Sequence, residues 1–111
     1  MATLIIIHGD SLGRGDEELG RKLMVSYLRQ LTIVSPKPEA MVFYNAGVKL
    51  LVATSPVLDA MRALDESGVE LMACGTCVNY FGLQHEIAVG RVTDMREIVS
   101  TMAASDKVLT V

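Results

Sequence analysis

Four short apolar runs, TLIII at residues 3–7, AMVFY at 40–44, VELMAC at 69–74 and KVLTV at 107–111, alternate along the chain with segments whose apolar residues recur at helical spacing. That order is the signature of parallel strands joined by crossover helices, so the class is α/β. A first helix is expected from about Asp16 to Leu31, with Leu19, Leu23, Tyr27, Leu28 and Leu31 as its buried stripe. Asp16, Glu17 and Glu18 sit at its positive dipole end, and Glu17 and Glu18 precede Arg21 and Lys22 by four residues, the spacing of ion pairs along a helix. Ser55 and Pro56 mark the start of a second helix with Leu58, Met61 and Leu64 inward and Gly68 as its left-handed stop. Thr93 is the expected cap of a last helix carrying Met95, Ile98, Val99, Met102 and Ala103. VSPKPE, residues 34–39, reads as a loop, and the seven methionines read as core filler.

A chain of 111 residues, half of them apolar, is long enough for one domain over residues 1–111 with one core and no disulfide staples. The apolar surplus predicts surface covered by further copies of the chain, a homo-oligomer. A net charge of −3 with no basic stripe argues against nucleic acid as a partner. MATLIII lacks the basic flank and the length of a signal core, and no run approaches the roughly 18 apolar residues that span a bilayer. A cytoplasmic protein without a membrane partner is expected, in a compartment where a close cysteine pair is more often redox-active or metal-binding than a structural disulfide.

The only two cysteines stand three positions apart in LMACGTCVNYFGL, residues 71–83. Cys74 falls at the carboxyl end of the third apolar run, the sheet edge where open α/β folds hold their ligands. Thr76 is the expected cap and Gly82 the expected end of a short helix whose first turn holds Cys77. Amide donors and the helix dipole there are expected to lower the thiol pKa and make Cys77 the nucleophile. Cys74, nearer the apolar core, is the candidate resolving thiol, close enough to form a disulfide or take over a sulfur atom. Taken alone, Cys74 also reads as inert packing. A zinc site would need two further ligands, and His8 and His85 stand in no organised motif, so no metal is assigned. A thioredoxin-type oxidoreductase uses the same cysteine spacing, which leaves a dithiol/disulfide protein open.

Two other loops end at the same edge. HGDSLGRGDEELG, residues 8–20, offers Ser11 and Gly13 as binding residues, with Gly13 and Gly15 able to shape backbone amides into an anion cradle. It matches neither the dinucleotide fingerprint nor a P-loop, so no nucleotide is implied, and a plain turn launching the first helix is the alternative. In FYNAGVKLL, residues 43–51, Asn45 and Gly47 sit where a ligand group can be hydrogen-bonded, and Asn45 reads equally as a turn residue. Gly75 and Thr76, between the cysteines, complete the candidate binding set.

LGRGDEELGRKLM, FYNAGVKL, CGTCVNYFGL and VTDMREIV, in this order over nearly the whole chain, resemble the DsrE-like domain of the YedF family, linked to selenium metabolism. The resemblance implies the DsrE/DsrF-like arrangement: a flavodoxin-like three-layer sandwich with a mostly parallel sheet of four to five strands and crossover helices. It also implies a small oligomeric sulfurtransferase-like protein that carries sulfur as a cysteine persulfide. In that pattern Cys77 matches the sulfur-carrying cysteine before a short helix, and Cys74 the extra cysteine of the C-G-x-C members. Proteins of the YedF type usually carry an amino-terminal domain like the TusA sulfur carrier, absent from this sequence, so donor and acceptor are expected to be separate proteins, a separate TusA-like carrier being one candidate. The expected function is a persulfide carrier of sulfur or selenium that needs no cofactor. Its rival is an oligomeric module that binds a small ligand or a partner without catalysis, with cysteines that merely pack.

Overall fold

The computed structural model describes residues 2–111. Five parallel strands, β1 (Thr3–Ile7), β2 (Ala40–Phe43), β3 (Glu70–Cys74), β4 (Arg91–Thr93) and β5 (Lys107–Thr110), form one sheet in the order β4-β3-β2-β1-β5. Between them run α1 (Glu17–Leu31), a 3₁₀ helix (Asn45–Leu51), α2 (Leu58–Glu66), α3 (Gly75–Tyr80) and α4 (Met95–Ala104). The α/β class and the mostly parallel sheet are as the sequence predicts. β4 is the strand that the apolar runs do not announce, because its three residues lie at the sheet edge and are largely exposed.

The three central strands read as continuous apolar runs because both their faces are covered. Alternate residues serve two cores. Ile5, Ile7, Met41, Phe43, Leu71 and Ala73 face α1, α2 and the 3₁₀ helix, whereas Leu4, Ile6, Ala40, Val42, Met72 and Cys74 face Ile98 and Met102 of α4. Helix, sheet and helix therefore make three layers. The chain advances from β1 to β4 with its connections on the first face, then returns through α4 on the second to place β5 beside β1, the consequence of right-handed crossovers. The segments leaving β3 and β4 thus diverge to opposite faces, and Cys74 and Thr93 are register partners at the point of divergence.

Several local expectations are corrected. The buried stripe of α1 is Gly20, Met24, Leu28 and Leu31, and Leu19 and Leu23 point outward. The rotation follows from Gly20, against which the preceding loop folds: Leu12 N–H donates to Gly20 O at 2.9 Å, and a Cβ on Gly20 would lie 1.9 Å from Ser11 Oγ. Asp16 lies outside α1 as its N-cap, accepting from Leu19 N–H at 2.8 Å. Glu17 and Glu18 form no ion pair with Arg21 or Lys22; Arg29 instead joins α1 to α2 through Asp59 at 3.1 Å. α2 begins two residues beyond Pro56, since the Ser55 hydroxyl caps a turn at Val57 N–H (3.2 Å) rather than the helix. Asp94, not Thr93, caps α4, accepting from Glu97 N–H at 2.9 Å, because Thr93 is spent as the last ladder residue of β4. Of the apolar residues on α4, Ile98 is buried while Met95 and Val99 are exposed. Four methionines, Met24, Met41, Met61 and Met72, fill the core as expected, whereas Met95 does not. Gly68 has the left-handed φ of +97° that a helix stop requires.

Candidate functional site: a half-buried thiol at the point where two helices diverge

Cys74 ends β3 and is at once the N-cap of α3, with no side-chain capping bond. The expectation that Thr76 caps this helix is therefore corrected: the strand runs into the helix without a linker, so Thr76 is already its second residue and Cys77 its third. Cys77 does stand in the first turn. The direct entry needs Gly75, whose missing Cβ would sit 3.1 Å from Thr93 O and 3.3 Å from Val92 Cγ1. Gly82 ends the segment at φ +66°.

The two thiols have different surroundings. Cys74 is 1% exposed and belongs to the core beneath α4. Cys77 is half-buried, touches both cores and faces an open cleft of about 380 Å³ lined by Asn45, Thr76, Cys77, Tyr80 and Phe81. Its walls are mostly aromatic: Tyr80 is 83% exposed and meets Phe81 edge to face with centroids 5.3 Å apart, and Lys49 Nζ stands 4.5 Å from the Phe81 ring centroid. The main-chain N–H of Asn45, at the start of the 3₁₀ helix, donates to Cys77 Sγ at 3.0 Å.

The pKa expectation for Cys77 is reversed in direction. Burial pushes its thiol up, the Asn45 amide pulls it down, and the adjacent Cys74 thiol adds a further upward push, leaving the net shift upward. Desolvation outweighs the single Asn45 amide donor in that balance.

Of the other predicted residues, Asn45, Gly75, Thr76, Cys74 and Cys77 converge here, and Ser11 and Gly13 do not. Those two line a separate cleft of about 250 Å³ with Arg14, Gly15, Asp16 and Glu17. Ser11 Oγ donates to Glu17 O at 3.4 Å, and the Asp16 carboxylate takes the amide at the start of α1, so the loop's polar groups are turned onto its own helix. His8 and His85 are exposed, and among the described residues no group of three or more His, Cys, Asp or Glu side chains is placed to share a metal ion. Nor is any helix there long and apolar enough to cross a membrane.

Sequence reasoning missed the polar network that ties β4 to β3 and α4. There Arg91 of β4 binds Glu70 of β3 and Glu97 of α4, and the Thr93 hydroxyl donates to Glu97. Arg91 and Thr93 hold Glu97 down to about 2, and the two carboxylates raise Arg91 further. The signal was available in the four-residue spacing from Thr93 to Glu97, but only the strand assignment of Arg91 makes it legible.

Comparison with solved structures returns the same fold from end to end. The YchN protein from E. coli superposes with a TM-score of 0.68 at 15% identity over 100% of both chains. MTH1491 from Methanobacterium thermoautotrophicum, described as a protein of unknown function, gives 0.73 at 19% identity over 99% of this chain and 98% of its own. BT1422 from Bacteroides thetaiotaomicron, a conserved protein also of unknown function, gives 0.69 at 18% identity over 98% and 94%. No curated protein matches in sequence. A family model described as the DsrE/DsrF-like family matches residues 6–111.

Proposed function

The chain belongs to the DsrE/DsrF-like family, and from that premise we propose that it is a carrier of sulfane sulfur, or of selenium in the same role, held as a persulfide on Cys77. The observation that carries this reading is the pairing of a half-buried thiol, open to a cleft and held by the Asn45 amide, with a second thiol sealed in the core three residues before it. In loading, the Cys77 thiolate attacks the terminal sulfur of a donor persulfide. The donor S–S bond breaks, its thiolate leaves, and Cys77 keeps the transferred atom. In unloading, an acceptor thiolate attacks that outer sulfur and Cys77 leaves as a thiolate. No net oxidation occurs in either step.

Cys74 is the resolving thiol. Its attack on Cys77 Sγ releases hydrosulfide and leaves a Cys74–Cys77 disulfide, so the pair discharges reductively when no acceptor is present. The shallow, aromatic, open cleft suits a donor or acceptor cysteine presented on another protein, such as a separate TusA-like carrier, more than an enclosed small molecule. Val92, Met95 and Val99, apolar and exposed on β4 and α4, support a homo-oligomer, which sedimentation of a species larger than one chain would bear out.

The test is a two-stage mass measurement. Incubation with a small-molecule persulfide donor is expected to add one sulfur atom to the folded protein, and a later excess of acceptor thiol to remove it. A folded protein that shows neither added sulfur nor the Cys74–Cys77 disulfide left by its discharge would replace this reading with that of a binding module.

A further inference from the structure

We propose that Asn45 is a positioning residue for the Cys77 sulfur: its left-handed backbone aims a main-chain N–H at Sγ, and its own side chain holds that backbone in place. Among the described residues Asn45 is the non-glycine residue with positive φ, at +51°. Asparagine enters this region at lower cost than most residues because its short amide can bond locally. Here Asn45 Oδ1 accepts from Ala46 N–H at 2.9 Å, so the side chain helps to fix the turn.

Both flanks of the turn are pinned to β1. Tyr44 N–H donates to Ile7 O at 3.2 Å, Gly47 N–H donates to Tyr44 O at 3.0 Å, and Gly47 lies so close to the end of β1 that a Cβ there would stand 2.3 Å from Ile7 O. The N–H of Asn45 lies in the peptide plane that follows Tyr44, whose ψ is 171°, and the left-handed φ of Asn45 lets the chain turn into the 3₁₀ helix without rotating that plane off the sulfur. A β-branched residue at this position would have to leave that region and swing the N–H away from the sulfur.

The bond should matter most on unloading, a consequence that rests on the carrier reading. In the persulfide the negative charge sits on the outer sulfur; it returns to Sγ as the acceptor breaks the S–S bond, so the amide strengthens its bond to the leaving thiolate. Its effect on the free thiol does not depend on sulfur transfer at all. The groups that titrate or carry charge around Sγ are Cys74 at the head of α3, Tyr80 on the cleft wall, Tyr44 beneath it and Lys49 behind Phe81.

The experiment is the pH profile of Cys77 alkylation in a Cys74→Ser background, where one thiol titrates. Asn45→Val is expected to move the midpoint up by about one unit, a roughly tenfold smaller thiolate fraction at neutral pH, and to slow unloading by a similar factor. Asn45→Gly, which can keep the left-handed turn but lacks the Oδ1 bond to Ala46 N–H, is expected to restore most, and not all, of both. An unmoved midpoint in a folded Asn45→Val protein, or a glycine variant displaced as far as the valine one, overturns the assignment. The amide proton of Asn45, followed by NMR in the Cys74→Ser protein, gives a readout independent of that variant's folding: it should shift with the Cys77 midpoint, and indifference to it overturns the assignment equally. A shifted midpoint in a protein that accepts no sulfur upholds the role of Asn45 and removes the carrier reading.

Discussion

Two glycine-bearing regions leave the same carboxyl edge of the sheet and end in opposite chemical states. After β1, residues 8–16 curl onto the start of α1, where Ser11, Leu12 and Asp16 spend their polar groups on Glu17, Gly20 and Leu19. After β2 and β3, Asn45 and Cys77 meet across 3.0 Å, and the sulfur that accepts the bond still faces an open cleft. Glycines at a strand end therefore do not make a site. What separates the two regions is whether a reactive atom is left facing solvent after the local hydrogen bonds have been formed.

The largest effect that separates them is chemical. Cys77→Ser should abolish sulfur uptake, measured as intact mass after donor treatment, while Ser11→Ala should load like the wild type. Loss of loading in Ser11→Ala would break the distinction. The next effect is on stability. Gly47→Ala pushes a Cβ to 2.3 Å from the Ile7 carbonyl, a backbone atom that cannot turn aside, and should cost about 3 kcal/mol in urea unfolding. Gly20→Ala meets a hydroxyl at 1.9 Å that can rotate away, but also Ser11 Cβ at 3.1 Å and the Leu12 carbonyl at 3.2 Å, so its gain in helix propensity is offset and it should cost about 1 kcal/mol, less than Gly47→Ala.

Asp16→Ala removes the cap of α1 and should lower stability by about 1 kcal/mol while leaving sulfur uptake untouched, which sharpens the view of the first loop as structure only. The smallest effect belongs to the ion network that anchors β4 to β3 and α4. Arg91 holds Glu97 at about 2, below its unfolded value, so this contribution is present above the ordinary glutamate range and is lost as pH falls from about 4.3 toward 2. The difference in melting temperature between wild type and Glu97→Gln should accordingly be seen at neutral pH and close over that window.

Much of this was legible in the sequence because burial on two faces forces continuous apolar runs, which place β1, β2, β3 and Cys74 directly. Other features depend on tertiary partners. Gly20 is buried only because a loop folds back on it, so a count of leucines selects Leu19 and Leu23 and misplaces the inner face of α1. Thr93 and Asp94 are adjacent cap residues, and only the pairing of Thr93 with Cys74 decides between them. Cys77 could be placed in a first helical turn from its spacing, but the direction of its pKa could not. That balance is set by apolar walls and by an amide contributed from a segment 32 residues away. The hint that sequence does hold is the asparagine itself, directly after a strand and before Ala46 and Gly47, where a left-handed turn is affordable.

On the proposed carrier reading, the half-buried Cys77 carries the transferred atom and the sealed Cys74 does not. Peptide mapping by mass spectrometry after brief donor treatment tests it most directly. One additional sulfur is expected on Cys77, persisting longer in Cys74→Ser, where no neighbouring thiol can discharge it as a disulfide. An adduct on Cys74 with Cys77 unmodified would contradict it.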